Sequence, residues 1–235
     1  MKKVLSLMFI ISGVILFLYP SISNLYTDYQ QEKLMNEWEA KTFEAEAADI
    51  TFNKEDAKES LDELNEVFEV KEEDQVDQTN NQAVNEEQPG TDSDSTKKQS
   101  ERNKSSMVGV IEIDKINLRL PILYGASQGN LDVGAGLLNG TSLPGNPGNS
   151  AIAAHRSRSY GRMFNRLDEI GAGDVVTVRG QNGTFQYKVY ETLVVKPQDV
   201  SVLSGSKDEK TLMLITCTPI DTATHRLIVK AKQLP

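Results

Sequence analysis

Residues 212–229 read LMLITCTPIDTATHRLIV. Two apolar and β-branched runs, Leu212–Thr216 and Leu227–Val229, have the composition of buried strands, and Pro219–Thr224 between them reads as a loop. The chain's one cysteine, Cys217, therefore falls where the first strand ends. Arg226 opens the second strand nine residues on, so a hairpin-like return would bring guanidinium and thiol together. Of the two histidines, His225 adjoins that arginine and His155 ends a separate apolar run, SAIAA. A thiol, an imidazole and a guanidinium at strand edges suit a nucleophile with its proton carrier and a cationic stabiliser. Side chains alternate along a strand, so an Arg226 that faces the thiol turns His225 away. From the residues alone, His155 can equally be a packed strand-end histidine, and Cys217 a small buried hydrophobe.

Working outward from this hairpin, order begins at Met107. VGVIEI alternates as a strand, DKIN turns, and LRLPILYG gives a second strand whose Pro121 implies an edge or a bend. The Gly-, Asn- and Pro-rich stretch from Gly129 to Ser150 reads as loop. SAIAAHR reads as a buried strand that delivers His155 and Arg156. MFNRLDEI reads as a helix with Met163, Phe164, Leu167 and Ile170 on one face. GDVVTV, GTFQYKVYETLVV, TLMLITC and THRLIVKA add four strands. About seven to eight strands with short helices point to a mostly β fold, a closed or nearly closed barrel over 107–235.

The net charge of −9 is concentrated before this domain. Asn24–Ser106 holds 23 acidic against 9 basic residues, whereas Met107–Pro235 holds 11 against 14. No basic, aromatic-interleaved surface argues for nucleic acid. Residues 1–23 begin MKK and continue with sixteen uncharged residues, VLSLMFIISGVILFLY. At 1.5 Å per residue such a helix spans roughly 24 Å, and no small-residue cleavage pattern follows, which makes it an expected transmembrane anchor. Lys2 and Lys3 would hold the amino terminus in the cytoplasm and leave the catalytic domain outside. Residues 24–106 then form an acidic linker. A short amphipathic helix is expected where Leu61, Leu64 and Phe68 share a face and Asn53 can cap, with its charges solvated. The polar stretch from Glu72 to Ser106 is expected to be disordered and to act as a spacer. In an exported chain a single cysteine has no internal disulfide partner, which favours a thiol kept for use.

The quoted residues resemble the sortases, cysteine transpeptidases of Gram-positive cell surfaces, over Met107–Lys232. The signature T-L-x-T-C followed by Arg at the next strand is similar to Met213, Leu214, Ile215, Thr216, Cys217 and Arg226. The family histidine is similar to Ala154–His155, and GVIEIDKINLRLPILYG is similar to the family's first two strands, with Asp114 in place of the usual Pro. TCTP and THRLIV are reminiscent of the pilin-polymerising class C, but no Asp-Pro-aromatic lid is seen, which favours an A- or D-like housekeeping or specialised anchoring enzyme.

The resemblance implies Cys217 as nucleophile, His155 as acid and base, and Arg226 as oxyanion or substrate stabiliser. Thr216 and Ala154 would lie against the substrate, and Val195–Leu203 would wall the groove. Expected partners are LPXTG-type surface proteins, an amino group of a peptidoglycan precursor and the membrane; no cofactor and no metal are expected. Arg156, Arg158, Arg162 and Arg166 read as a solvated patch facing acidic wall polymers or the linker. Two other readings are an L,D-transpeptidase-like wall enzyme, whose H-G…G-C-x-R arrangement is absent from the sequence, and a non-catalytic surface binding protein.

Overall fold

The computed structural model describes residues 13, 25–39, 53–73, 107–180, 182–203 and 208–235. Among the described residues no helix is long and apolar enough to cross a membrane. The expected anchor (apart from residue 13) lies outside them, as does the stretch expected to be disordered, Glu72–Ser106, except that Glu72 and Glu73 end a helix.

Eight strands close into a barrel in the order β1-β2-β3-β4-β7-β8-β6-β5. They are β1 (Met107–Ile113), β2 (Leu118–Tyr124), β3 (Ala135–Leu137), β4 (Gly148–Ala153), β5 (Val175–Gly180), β6 (Gly183–Val195), β7 (Lys210–Thr218) and β8 (His225–Gln233). The unforeseen strand is β3, three residues inside the Gly-rich stretch, where it runs parallel to β2 and antiparallel to β4. Three residues are too few to show a period. Pro121 pairs with Val110 of β1, and β3 joins β2 only from Ile122 onward, so the proline is covered on one side as its missing N–H requires.

Alternation sorts the side chains into two cores. Leu120, Ile122, Ile152, Val176, Val178, Leu212, Leu214 and Val229 fill the barrel. Ala151, Ala153, Met213, Ile215, Cys217 and Ile228, from the opposite faces of the same strands, form a second cluster outside it. Tyr187, also inside, is fully buried; its hydroxyl accepts a hydrogen bond from Gly145 N at 2.8 Å, and burial pushes its pKa up to about 12.

The MFNRLDEI helix is not formed. Met163 adopts a left-handed φ of 47° and bridges Arg156, and only Leu167–Glu169 makes a 3₁₀ turn. Met163, Phe164, Leu167 and Ile170 are nonetheless all buried, so burial was rightly read and the period was not. The bridge to Arg156 draws this short segment back along the end of β4, which leaves no room for helical turns.

Among the described residues, the helices α1 (residues 25–39) and α2 (Lys54–Glu73) precede the barrel. The cap of α2 is the expected one, Asn53 Oδ1 accepting from Glu55 N at 3.0 Å, with Glu55 and Asp56 in the first turn complementing the helix dipole. Its apolar stripe, Ala57, Leu61, Leu64 and Phe68, is 0–2% exposed and covers the outer cluster. At about 1.5–3 kcal/mol per large apolar side chain this burial is enough to hold the helix, as an upper bound. Asn53 N donates to Gly140 O at 2.8 Å and Asn139 N donates to Ser60 Oγ at 3.1 Å. Gly140, at φ 73°, lies so close that a Cβ would overlap the backbone of Asn53 and Ala57. This part of the linker is thus docked on the barrel.

Tyr187→Phe should keep the ring in place and strand the Gly145 N–H. The expected loss is about 1–3 kcal/mol in urea unfolding, with an unchanged fold by circular dichroism.

Candidate active site

β7 carries the cysteine between two partners held in strict register. On one side the antiparallel pairing runs Ile215↔Ile228, Thr216↔Leu227, Cys217↔Arg226 and Thr218↔His225. Residues directly opposite in such a pair point to the same face, so thiol and guanidinium lie side by side on the outside of the barrel. His225 faces the other way and its Nδ1 meets Thr224 Oγ1 at 3.0 Å, as alternation requires. On the other side β4 runs parallel to β7, with Ala153 opposite Ile215. Ala154 N extends that pairing by donating to Ile215 O at 3.1 Å. Two residues beyond Ala153, which is in the outer cluster, His155 emerges on the outer face as well.

His155 and Arg226 both meet α2, and Cys217 belongs to the apolar cluster that α2 covers. The Phe68 ring centroid is 5.3 Å from that of His155, and the Arg226 guanidinium carbon is 5.1 Å from the centre of the same ring. Arg226, 2% exposed, donates through Nε to Asn65 Oδ1 at 3.0 Å and through Nη1 to Ala223 O at 2.7 Å. Asn65 in turn donates to Pro197 O at 2.8 Å, tying α2 to the loop after β6. That loop supplies Val202 and Leu203 to the outer cluster, so the expected groove wall at Val195–Leu203 does stand beside the cysteine strand. The α2 helix packs its apolar stripe into the same cluster.

The two expected substrate contacts, Thr216 and Ala154, have buried side chains. Both are 0% exposed and occupy the inward positions of their strands. The Thr216 hydroxyl is committed to Ala154 O at 2.8 Å, so it joins β7 to the end of β4 and does not open into the groove. The arginines of the expected patch face partners in the same chain, the linker among them. Arg162 pairs with Asp28 of α1 at 2.5 Å, and Arg166 takes Glu169 and Ile116 O. Arg156 takes Asp168 and Thr218, while Arg158 lies 3.8 Å from Asp221. These cations are engaged by the protein itself. A separate cavity of about 370 Å³, lined by Trp38, Arg119, Arg179 and Thr184 among others, touches none of Cys217, His155 and Arg226. Among the described residues no cluster of three or more His, Cys, Asp or Glu could hold a metal ion.

The family model described as Sortase domain matches residues 111–234, more than half of the chain. The chain belongs to the sortase family. It is 30% identical to sortase D of Bacillus subtilis (strain 168) over 54% of this chain and 63% of that one. It is 27% identical to sortase A of Listeria monocytogenes over 54% of this chain and 56% of that one. The chain thus spans less than two thirds of the length of these curated relatives.

Among solved sortases, sortase C2 of Group B Streptococcus pilus island 1 superposes with a TM-score of 0.52 at 34% identity, covering 55% of this chain and 74% of that one. Sortase C-1 of Actinomyces oris gives 0.55 at 29% identity and covers 75% of this chain and 99% of that one. The second alignment takes in more than residues 107–235 can account for, so it includes residues ahead of the barrel.

The sequence showed the apolar face of α2 and did not show where it docks. Asn65 and Phe68 were therefore missed as neighbours of the site, as was Arg156. Phe68→Ala should uncover the thiol while Asn65 still holds the helix. The expected result is a rise of about tenfold or more in the rate at which a methanethiosulfonate reagent modifies Cys217, read by mass spectrometry.

Proposed function

We propose that this sortase is a membrane-anchored cysteine transpeptidase that cleaves an LPXTG-like sorting signal between Thr and Gly and passes the acyl group to an amine of a cell-wall precursor. The supporting observation is the placing of Cys217, Arg226 and His155 on one outer face, at the end of an apolar groove. The Cys217 thiolate attacks the Thr carbonyl, and the resulting oxyanion is stabilised by the adjacent Arg226, whose fixed charge and several donors suit it. His155 gives a proton to the departing Gly amine as the C–N bond breaks, which leaves a thioester on Cys217. The acceptor amine then attacks the thioester, loses its proton to His155, and forms the new amide as the thiolate departs.

The floor of the groove, Ala151, Ala153, Met213, Ile215 and Ile228 with Val202 and Leu203 at its side, is apolar and suits the Leu and Pro of such a signal. In this arrangement α2 occupies that floor, and Asn65 holds Arg226 by its Nε. Peptide entry therefore requires the helix to withdraw. The uncharged run of residues 1–23 would tether the protein to the membrane and leave the barrel on the outer side.

Incubating the full chain with LPXTG-type peptides and an oligoglycine or diaminopimelate acceptor tests this by mass spectrometry. Cys217→Ala should lower cleavage by on the order of 10³-fold or more, and Arg226→Ala by roughly 10²–10³-fold. Phe68→Ala should raise kcat/KM. Unimpaired cleavage by Cys217→Ala would remove the nucleophile from the scheme.

A further inference from the structure

β4 ends at Ala153 and its last bond to β7 is Ala154 N to Ile215 O, so ladder pairing stops one residue short of His155. What replaces it is a pair of side-chain bonds placed symmetrically about the two reactive groups. Before them, Thr216 Oγ1 donates to Ala154 O at 2.8 Å. After them, Arg156 Nη1 donates to Thr218 Oγ1 at 2.9 Å. The residues flanking the imidazole are thus each bound to the residues flanking the thiol. We propose that Arg156 is a positioning residue, the outer half of a two-sided clasp that sets His155 against Cys217; this rests on the reading of those two as the reacting pair.

The guanidinium is suited to the task. Its side chain is 11% exposed, and Nη2 meets Asp168 Oδ2 at 2.8 Å while Nη1 holds Thr218. It therefore joins three segments: the end of β4, the end of β7 and the 3₁₀ turn at Leu167–Glu169. A planar fork can serve two such partners in fixed directions, whereas a lysine ammonium on a flexible stem serves one at a time. The loop that follows is closed back on His155 itself, because Phe164 N donates to His155 O at 3.0 Å and Met163 bridges Arg156. Thr218 and Arg156 sit on the side of their strands opposite to Cys217 and His155, so neither touches the peptide groove. Half of the Asp168 side chain is exposed, and that ion pair alone contributes little. The bond to Thr218 is the one that bears on the cysteine.

The test compares the full chain with Arg156→Ala, Arg156→Lys, Thr218→Val and the double variant Arg156→Ala/Thr218→Val. Three quantities are measured: kcat and KM for sorting-peptide cleavage, the pH profile of Cys217 modification by a methanethiosulfonate, and the melting temperature. Arg156→Ala is expected to cut kcat by about 10–100-fold with KM within about twofold, since a displacement on the order of 1 Å in a reacting pair has effects of this size. It should also shift the midpoint of the modification profile. Thr218→Val should act in the same direction, the double variant should be no worse than Arg156→Ala alone, and Arg156→Lys should recover part of kcat.

A lower melting temperature with kcat and pH profile both at the parent's values would overturn the proposal, as would multiplicative losses in the double variant. Should Arg156→Ala fail to fold, Thr218→Val, which removes only a hydroxyl, decides by the same criteria. The modification profile needs no peptide. A shifted profile in a protein that cleaves no sorting peptide would uphold the clasp and count against the substrate reading alone.

Discussion

The register of β7 between its two neighbours is the constraint on which the rest depends. A slip of one residue against β8 would either turn Cys217 to the inside of the barrel or put His225 beside it in place of Arg226, because side chains alternate with a period of two. A slip against β4 would do the same to the relation between Cys217 and His155. Both registers are fixed by burial on both faces: Leu212 and Leu214 must point in, and Met213 and Ile215 must point out beneath α2. Cys217, Arg226 and His155 sit at or just beyond the strand ends, where the ladder still fixes their positions.

This explains why so much of the site was legible in the sequence. The strand signal around Cys217 and Arg226 is strong, and alternation alone assigned His225 away from the thiol. The same rule, applied to Thr216 and Ala154, would have sent both inward; they were instead placed against the substrate through the family signature. β3 escaped because three residues carry no period. The segment from Met163 to Ile170 was misread because its apolar spacing satisfies a helix and also satisfies a turn-rich segment folded against the barrel. Spacing reports which side chains are buried and does not report the backbone that buries them.

The larger gap concerns α2. Its cap and its apolar face follow from local sequence, yet its place in the fold depends on surfaces contributed by residues far along the chain. Gly140, Asn139 and Pro197 receive it, and none of them carries a sequence signal tied to Asn53, Ser60 or Asn65. The same holds for Arg156, whose partner Thr218 is 62 residues away. Charge-rich runs beside a folded domain are ordinarily solvated, and that expectation is right for the outer face of α2 and silent about the inner one.

Because α2 is part of the same polypeptide as the groove it fills, it competes with any visitor at a local concentration that dilution cannot lower. A ligand that needs the vacated groove has its apparent affinity reduced by the fraction of time the groove stands open; with about one molecule in a hundred open, binding weakens roughly a hundredfold. The protein would then ignore scarce or stray peptides and respond where suitable ones are crowded together, which turns a packing contact into a threshold.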